Sequence, residues 1–188
     1  HHAFADREGD PHSPLMEGLR NIVLKGAFYY RKAVRQPGML EKYGKGTPTD
    51  WLERHIFSRL NWVGILLMLA IDIWLFGFFV EPLVWGIQMI WIPFWAAGIV
   101  NGVAHAVGYR NFDVKDESRN ISPIGIWLGG EELHNNHHAD PHSAVFSARW
   151  FELDIGAVYL RILALFRLAE IKYARGMRSD LAEVRDAA

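Results

Sequence analysis

Residues 61–80, NWVGILLMLAIDIWLFGFFV, and residues 83–109, LVWGIQMIWIPFWAAGIVNGVAHAVGY, decide the fold class. The chain carries 20 Lys and Arg, yet none lies between Arg59 and Arg110. Each run is long enough to cross a hydrocarbon core, which takes about 20 helical residues. Only Asp72 is charged inside the first run, and Glu81-Pro82 breaks the two apart. A transmembrane helical hairpin is the expectation. With every Lys and Arg on the flanks, the positive-inside rule puts both flanks in the cytoplasm and the turn outside. Trp62, Trp85 and Trp91 are suited to the membrane interface, whereas Trp74 and Trp95 fall mid-span and are expected to pack.

Outward from the hairpin, the flanks read as amphipathic helix. Leu15 to Arg35 mixes Leu19, Val23, Phe28 and Tyr30 with basic positions. Gly44 to Pro48 is a loop, and Asp50 followed by Glu53 signals a helix start ahead of Trp51-Leu52. Trp150 to Tyr173 sets Leu153, Val158, Ile162, Leu165, Phe166 and Ile171 against Arg161, Arg167 and Lys172. Such helices lie on a membrane surface or cap a cytosolic bundle. The tail after Gly176 reads as solvated, and no strand pattern stands out. The predicted architecture is an all-α integral-membrane domain over residues 1–188: spans at about 61–80 and 83–109, with a cytosolic cap from 1–60 and 110–188.

Composition narrows the chemistry. A net charge of −1 gives no hint of a nucleic-acid partner. There is no cysteine, which removes thiolate zinc sites, iron–sulfur clusters and disulfide scaffolds. Any metal must therefore be held by His, Asp, Glu or Asn.

Six of the nine His fall into three groups. The first is His1-His2. The second joins Asn101 and His105, four apart at the end of the second run. The third is His134-Asn135-Asn136-His137-His138, in which positions i, i+3 and i+4 share one helical face. The second run has 27 residues, which at about 1.5 Å each cover about 40 Å, more than the ~30 Å core. Its last turns should emerge on the cytosolic side, the side of the other two groups. Imidazole suits iron, copper, nickel and zinc. A zinc-protease motif is excluded, because it needs His-Glu-x-x-His and Asn135 stands in place of the Glu. Glu131 and Glu132 are better placed as acceptors for imidazole N–H groups. His12, His55 and His142 read as ordinary surface or capping residues.

His-His-Ala-Phe with Asp10-Pro11-His12-Ser13, Asn101-x-x-x-His105 before Gly108-Tyr109-Arg110, and Gly130-Glu131-Glu132-Leu133-His134 through His138 together resemble the membrane fatty acyl desaturases of the stearoyl-CoA desaturase (Δ9) type, in a bacterial form. The resemblance runs to about Tyr173. It implies that His1, His2, His105, His134, His137 and His138 are metal ligands, with Asn101 reaching a metal through water. It places Arg31-Lys32 where the family has a basic pair that meets the phosphates of a CoA carrier. It further implies two iron ions, O2 as co-substrate, and an acyl chain on CoA, acyl carrier protein or phospholipid. An electron-carrier protein with its reductase completes the partners. The implied location is a bacterial inner membrane, with the site on its cytoplasmic side.

The family's His-x-x-x-x-His box and the first His of its second box are not in this sequence, and Asp140 and His142 depart from its usual residues. His1-His2 would pass for a tag remnant, but the residues that follow continue the family pattern. A fragment inactive alone, from an enzyme active when complete, is therefore the expectation. A sister di-iron lipid hydroxylase and a non-catalytic hairpin with metal-binding His are the alternative readings.

Overall fold

The computed structural model describes residues 1–44 and 49–175. The expected loop at 44–48 and tail after Gly176 lie largely or wholly outside them. Among the described residues helix dominates, as expected, in seven α-helices: α1 (Pro14–Glu17), α2 (Leu19–Val34), α3 (Met39–Tyr43), α4 (Asn61–Phe76), α5 (Glu81–Pro93), α6 (His134–Ala139) and α7 (Ile155–Leu165).

Among the described residues one helix, Glu81–His105, is long and apolar enough to cross a membrane. It starts as α5, widens to π-helix over Phe94–Val100 and tightens to 3-10 over Val103–His105. Helix therefore ends at His105 rather than at Tyr109. The first run departs further. Its helix α4 stops at Phe76, where Gly77 turns to φ 94°. Sixteen residues rise about 24 Å, short of the ~30 Å core. The turn is Gly77 to Val80, and Glu81 is the first residue of α5 instead of a turn residue. α4 and α5 pack together, and the Trp85 indole N–H donates to the Ile65 carbonyl at 3.3 Å. Trp95 packs against Trp91 and Phe94 as expected, but Trp74 points outward, 81% exposed.

Helix α2 packs along the Phe94–Val100 part of the long helix, and three glycines make that approach possible. A Cβ on Gly98 would stand 2.7 Å from the Val23 carbonyl oxygen, and one on Gly26 2.8 Å from that of Ala97. A Cβ on Gly102 would meet Ile22 at 2.8 Å. Ile22 is wholly buried in this seam, worth about 1.5–3 kcal/mol for a side chain of its kind. Phe28, expected on the apolar stripe, is instead 74% exposed, because the seam is made by Ile22 and Gly26. Gly18, at φ 81°, separates α1 from α2 in what reads as one helix.

The segment after the long helix is mostly irregular. A two-residue parallel ladder joins β1 (Ile124–Gly125) to β2 (Leu153–Asp154), a pairing too short to leave a sequence pattern. The helix expected over 150–173 is only α7. It begins late because Asp154 caps it, accepting from Ala157 N at 2.9 Å. It ends before Arg167, whose φ of 57° cannot continue a helix. The helix start at Asp50 is as expected, with Glu53 N donating to Asp50 Oδ1 at 2.9 Å.

Candidate metal centre

Three stretches distant in sequence meet at one place. Residues 1–13 form a chain of tight turns, with Phe4 N on the His1 carbonyl, Arg7 N on that of Phe4 and Asp10 N on that of Arg7. The long helix delivers His105 from its last turn. Helix α6 delivers His134, His137 and His138 from one face.

One nitrogen each from His1, His105, His134 and His138 falls within 4.8 Å of the others. His105 Nε2 lies 3.3 Å from His1 Nε2 and 3.2 Å from His134 Nε2. Beside this group His2 and His137 form a pair, Nε2 to Nε2 at 3.1 Å, with the His2 ring 4.5 Å from that of His138 between centroids.

Carboxylates set which nitrogen faces inward. His1 Nδ1 meets Asp10 at 2.8 Å, His105 Nδ1 meets Asp6 at 2.7 Å, and His138 Nδ1 meets Asp116 at 2.9 Å. Each Nδ1 therefore carries the proton, which leaves the Nε2 lone pair pointing at the other rings. Two such lone pairs 3.3 Å apart repel, and a shared cation removes the conflict. The buried ring nitrogens His134 Nδ1, His137 Nδ1 and His138 Nε2 also lack a hydrogen-bond partner, a costly state for buried polar atoms. The donor set thus fits bound metal ions, and all-imidazole chemistry admits iron.

Burial keeps His2, His134 and His137 neutral, as metal binding requires. Burial first, and then neighbouring His, lowers the pKa of His2 and His137 to about 4 and holds His134 well below the usual range. Burial opposes ionisation of Asp116 and Asp6 too. In each, hydrogen bonds outweigh it: His138 and Ser118 hold Asp116 low, and His105 and Glu117 hold Asp6 low.

The Asn101 amide donates to the Ala96 carbonyl at 2.7 Å. Arg31 and Lys32 are exposed in the last turn of α2. Glu131 approaches His134 Nδ1 at 3.5 Å, too long for a good hydrogen bond. Glu132 serves the backbone instead, accepting from Trp127 N and Leu128 N. His55 and His142 are exposed, as expected. His12 is not a surface residue: it is buried, stacked on Tyr30 and edge-on to His1, with rings 5.6 and 5.4 Å apart. The sequence reading missed Asp6, Asp10 and Asp116. The available signal was acidic residues in non-periodic turns close to the His groups.

Residues 1–170 match the fatty acid desaturase family model. An acyl-CoA 5-desaturase of Anemone leveillei is 31% identical over 173 residues, covering 90% of this chain and 51% of that protein. A Delta-9 acyl-lipid desaturase of Arabidopsis thaliana is 30% identical across 98% of this chain and 60% of its own length. A hex-5-enoyl-[acyl-carrier protein] acetylenase of Moorena producens is 32% identical, covering 83% of this chain and 53% of that protein. The chain spans about half to three-fifths of the length of these relatives. No solved structure matches it.

Proposed function

The chain belongs to the fatty acid desaturase family, and on that premise we propose that the protein containing it is an O2-dependent di-iron acyl desaturase that places a cis double bond, of Δ9 type, in a long acyl chain. The observation that carries this reading is the meeting of His1, His105, His134 and His138 nitrogens within 4.8 Å, beside the His2–His137 pair. Removing one hydrogen from each of two adjacent methylenes, with two electrons and two protons supplied from outside, reduces O2 to two waters.

Iron ions held by these imidazoles would supply the oxidising power needed to break an unactivated C–H bond. The chain's own residues prepare the place for them. Asp6, Asp10 and Asp116 fix ring tautomer and orientation. Burial of His105 and His134 restricts water at the centre. Asn101, in the turn preceding His105, is the residue for a water-mediated contact. Arg31 and Lys32 are the groups to receive the phosphates of a carrier such as CoA, and an electron-carrier protein is the reductant. The long helix, with α4 returning the chain beside it, would anchor the site in the membrane, with both flanks cytoplasmic.

The test is to express the complete protein in cells, measure its iron by elemental analysis and profile the cellular acyl chains. The expected result is bound iron and new cis-monounsaturated chains, both lost in His105→Ala. Hydroxylated chains would move the assignment to the sister reaction, and an iron-free protein with an unchanged profile would overturn it.

A further inference from the structure

Glu152 lies outside every histidine motif, yet its buried carboxylate gathers six donors. Oε1 accepts from Tyr109 Oη at 2.7 Å, from Asn111 Nδ2 at 2.6 Å and, more loosely, from Asn120 Nδ2 at 3.5 Å. Oε2 accepts from Asn136 Nδ2 at 2.9 Å and from the backbone N–H groups of Ala148 at 2.6 Å and Arg149 at 2.9 Å. A carboxylic acid would have to place a proton among these donors, so the group is held as the anion. Burial alone would raise its pKa, and these hydrogen bonds outweigh burial and lower it.

The donors come from different pieces of the candidate centre. Tyr109 and Asn111 follow closely on His105, and Asn120 lies four positions after Asp116, the partner of His138. Asn136 belongs to α6, between His134 and the His137-His138 pair, and is 1% exposed. Asn136 also accepts from Asn111 and Asn120, at 2.9 and 3.0 Å, so one network crosses all these segments. Helix α6 has only 6 residues and is too short to hold its geometry unaided. His105 Nε2 and His134 Nε2 nonetheless approach to 3.2 Å.

We infer that Glu152 is a positioning residue for the imidazole cluster, clasping α6 to the segment that follows His105 so that the rings are in place before a metal arrives. This rests on the metal-centre reading above. Glu152 touches no ring of the cluster and acts through Asn136. Glutamine in its place keeps the shape but turns an amide N–H₂ toward two or three of the donors. The carboxylate's charge-assisted bonds are roughly twice as strong as the neutral ones that would replace them.

The complete protein, cleared of metal and titrated with Co²⁺, tests this through the d–d absorption of the cobalt form. Glu152→Gln should keep the wild-type helicity and elution volume while binding Co²⁺ about 10-fold or more weakly, with shifted d–d bands. Asn136→Ala, which cuts the link to α6 and leaves the other donors of Glu152 in place, should do the same. It carries the test if Glu152→Gln fails to fold. Wild-type Co²⁺ affinity and spectrum in a folded variant, even one of lower Tm, would make Glu152 a stability residue and overturn the inference. A wild-type protein that binds no Co²⁺ and no iron would instead bring down the metal-centre reading, and this inference with it.

Discussion

Asp6 holds His105 across 99 positions of sequence, its Oδ2 lying 2.7 Å from Nδ1. The same oxygen receives the Glu117 N–H at 2.8 Å, and Oδ1 receives the Ser13 hydroxyl. One carboxylate thereby orients a ring from the long helix and pins two loops beside it. Asp6 adopts φ 58°, a left-handed conformation that Asp tolerates better than most residues. Asp6→Asn keeps that tolerance but exchanges the anionic acceptor for an amide. Metal affinity in the complete protein should fall about 10–100-fold, read by titration against a chelator. Asp113→Asn, at a fully exposed position, should change nothing, and equal losses in both variants would refute the specific role of Asp6.

Candidate ligands should separate from bystander histidines. His105→Ala, His134→Ala and His138→Ala each remove a ring from a buried group in which no ring is spare, so iron and product should fall about 100-fold or more. His2→Ala and His137→Ala should lose roughly half the iron, since their pair lies beside the four-ring group. His55→Ala and His142→Ala should retain both iron and product. Elemental analysis beside acyl-chain profiling decides the matter, and full iron in His134→Ala would remove that ring from the ligand set.

The seam between α2 and the long helix should be intolerant of a single methyl group. Gly98→Ala puts a Cβ 2.7 Å from the Val23 carbonyl oxygen, and backbone cannot swing aside as a side chain can. Overpacking of this kind costs about 1–3 kcal/mol, which should appear as a lower Tm in detergent. Gly86→Ala on the same helix meets nothing within 4 Å and should be neutral. An unchanged Tm in Gly98→Ala would show that the helices are further apart than described.

The metal-free protein should weaken in acid. His2 and His137 titrate near 4 when folded, against an ordinary 6.5, so between those values the unfolded chain binds more protons. The stability they confer is complete above about pH 6.5 and is lost as pH falls towards 4. Glu131 acts in the opposite sense. Burial, then Asp154 and Glu132, raises its pKa from 4.5 to about 7, so its ionisation removes stability as pH rises through that range. Glu131→Gln should therefore steepen the gain in stability between pH 4.5 and 6.5. Thermal melts across that range measure the slope, and a flatter slope in Glu131→Gln would contradict the assignment.

The elements that could be read from sequence are those with a local period or a local signal. The apolar run at 83–109 announced the long helix, though not its end at His105, and Asp50 with Glu53 announced a helix start. The spacing of His134, His137 and His138 announced a shared face. What could not be read depends on partners remote in the chain. Asp116 gains its role only by reaching His138, 22 positions away. Asn135, which looked like a departure from a protease motif, saturates its amide on Asn111, Phe112 and Ser118. The length of the first helix was misread because Gly77-Phe78-Phe79-Val80 is as apolar as the helix before it. Hydropathy alone does not register that Gly77 turns the chain.

The wide π-helical stretch at Phe94–Val100 makes the direction of His105 a matter of angular phase. Each residue advances an α-helix by about 100°, whereas a π-turn closes its hydrogen bond one residue later. Deleting one residue between Trp95 and Ile99 would let the turn relax to α pitch. The wide turn already takes up one extra residue, so everything beyond would keep nearly its angular phase. An inserted residue, with no wider turn to absorb it, would rotate everything beyond by about 100° and swing the His105 ring away from Asp6 and His134. The approach to the imidazole cluster is in this sense a screw thread, sensitive to the number of residues in a segment that contributes no side chain to the cluster.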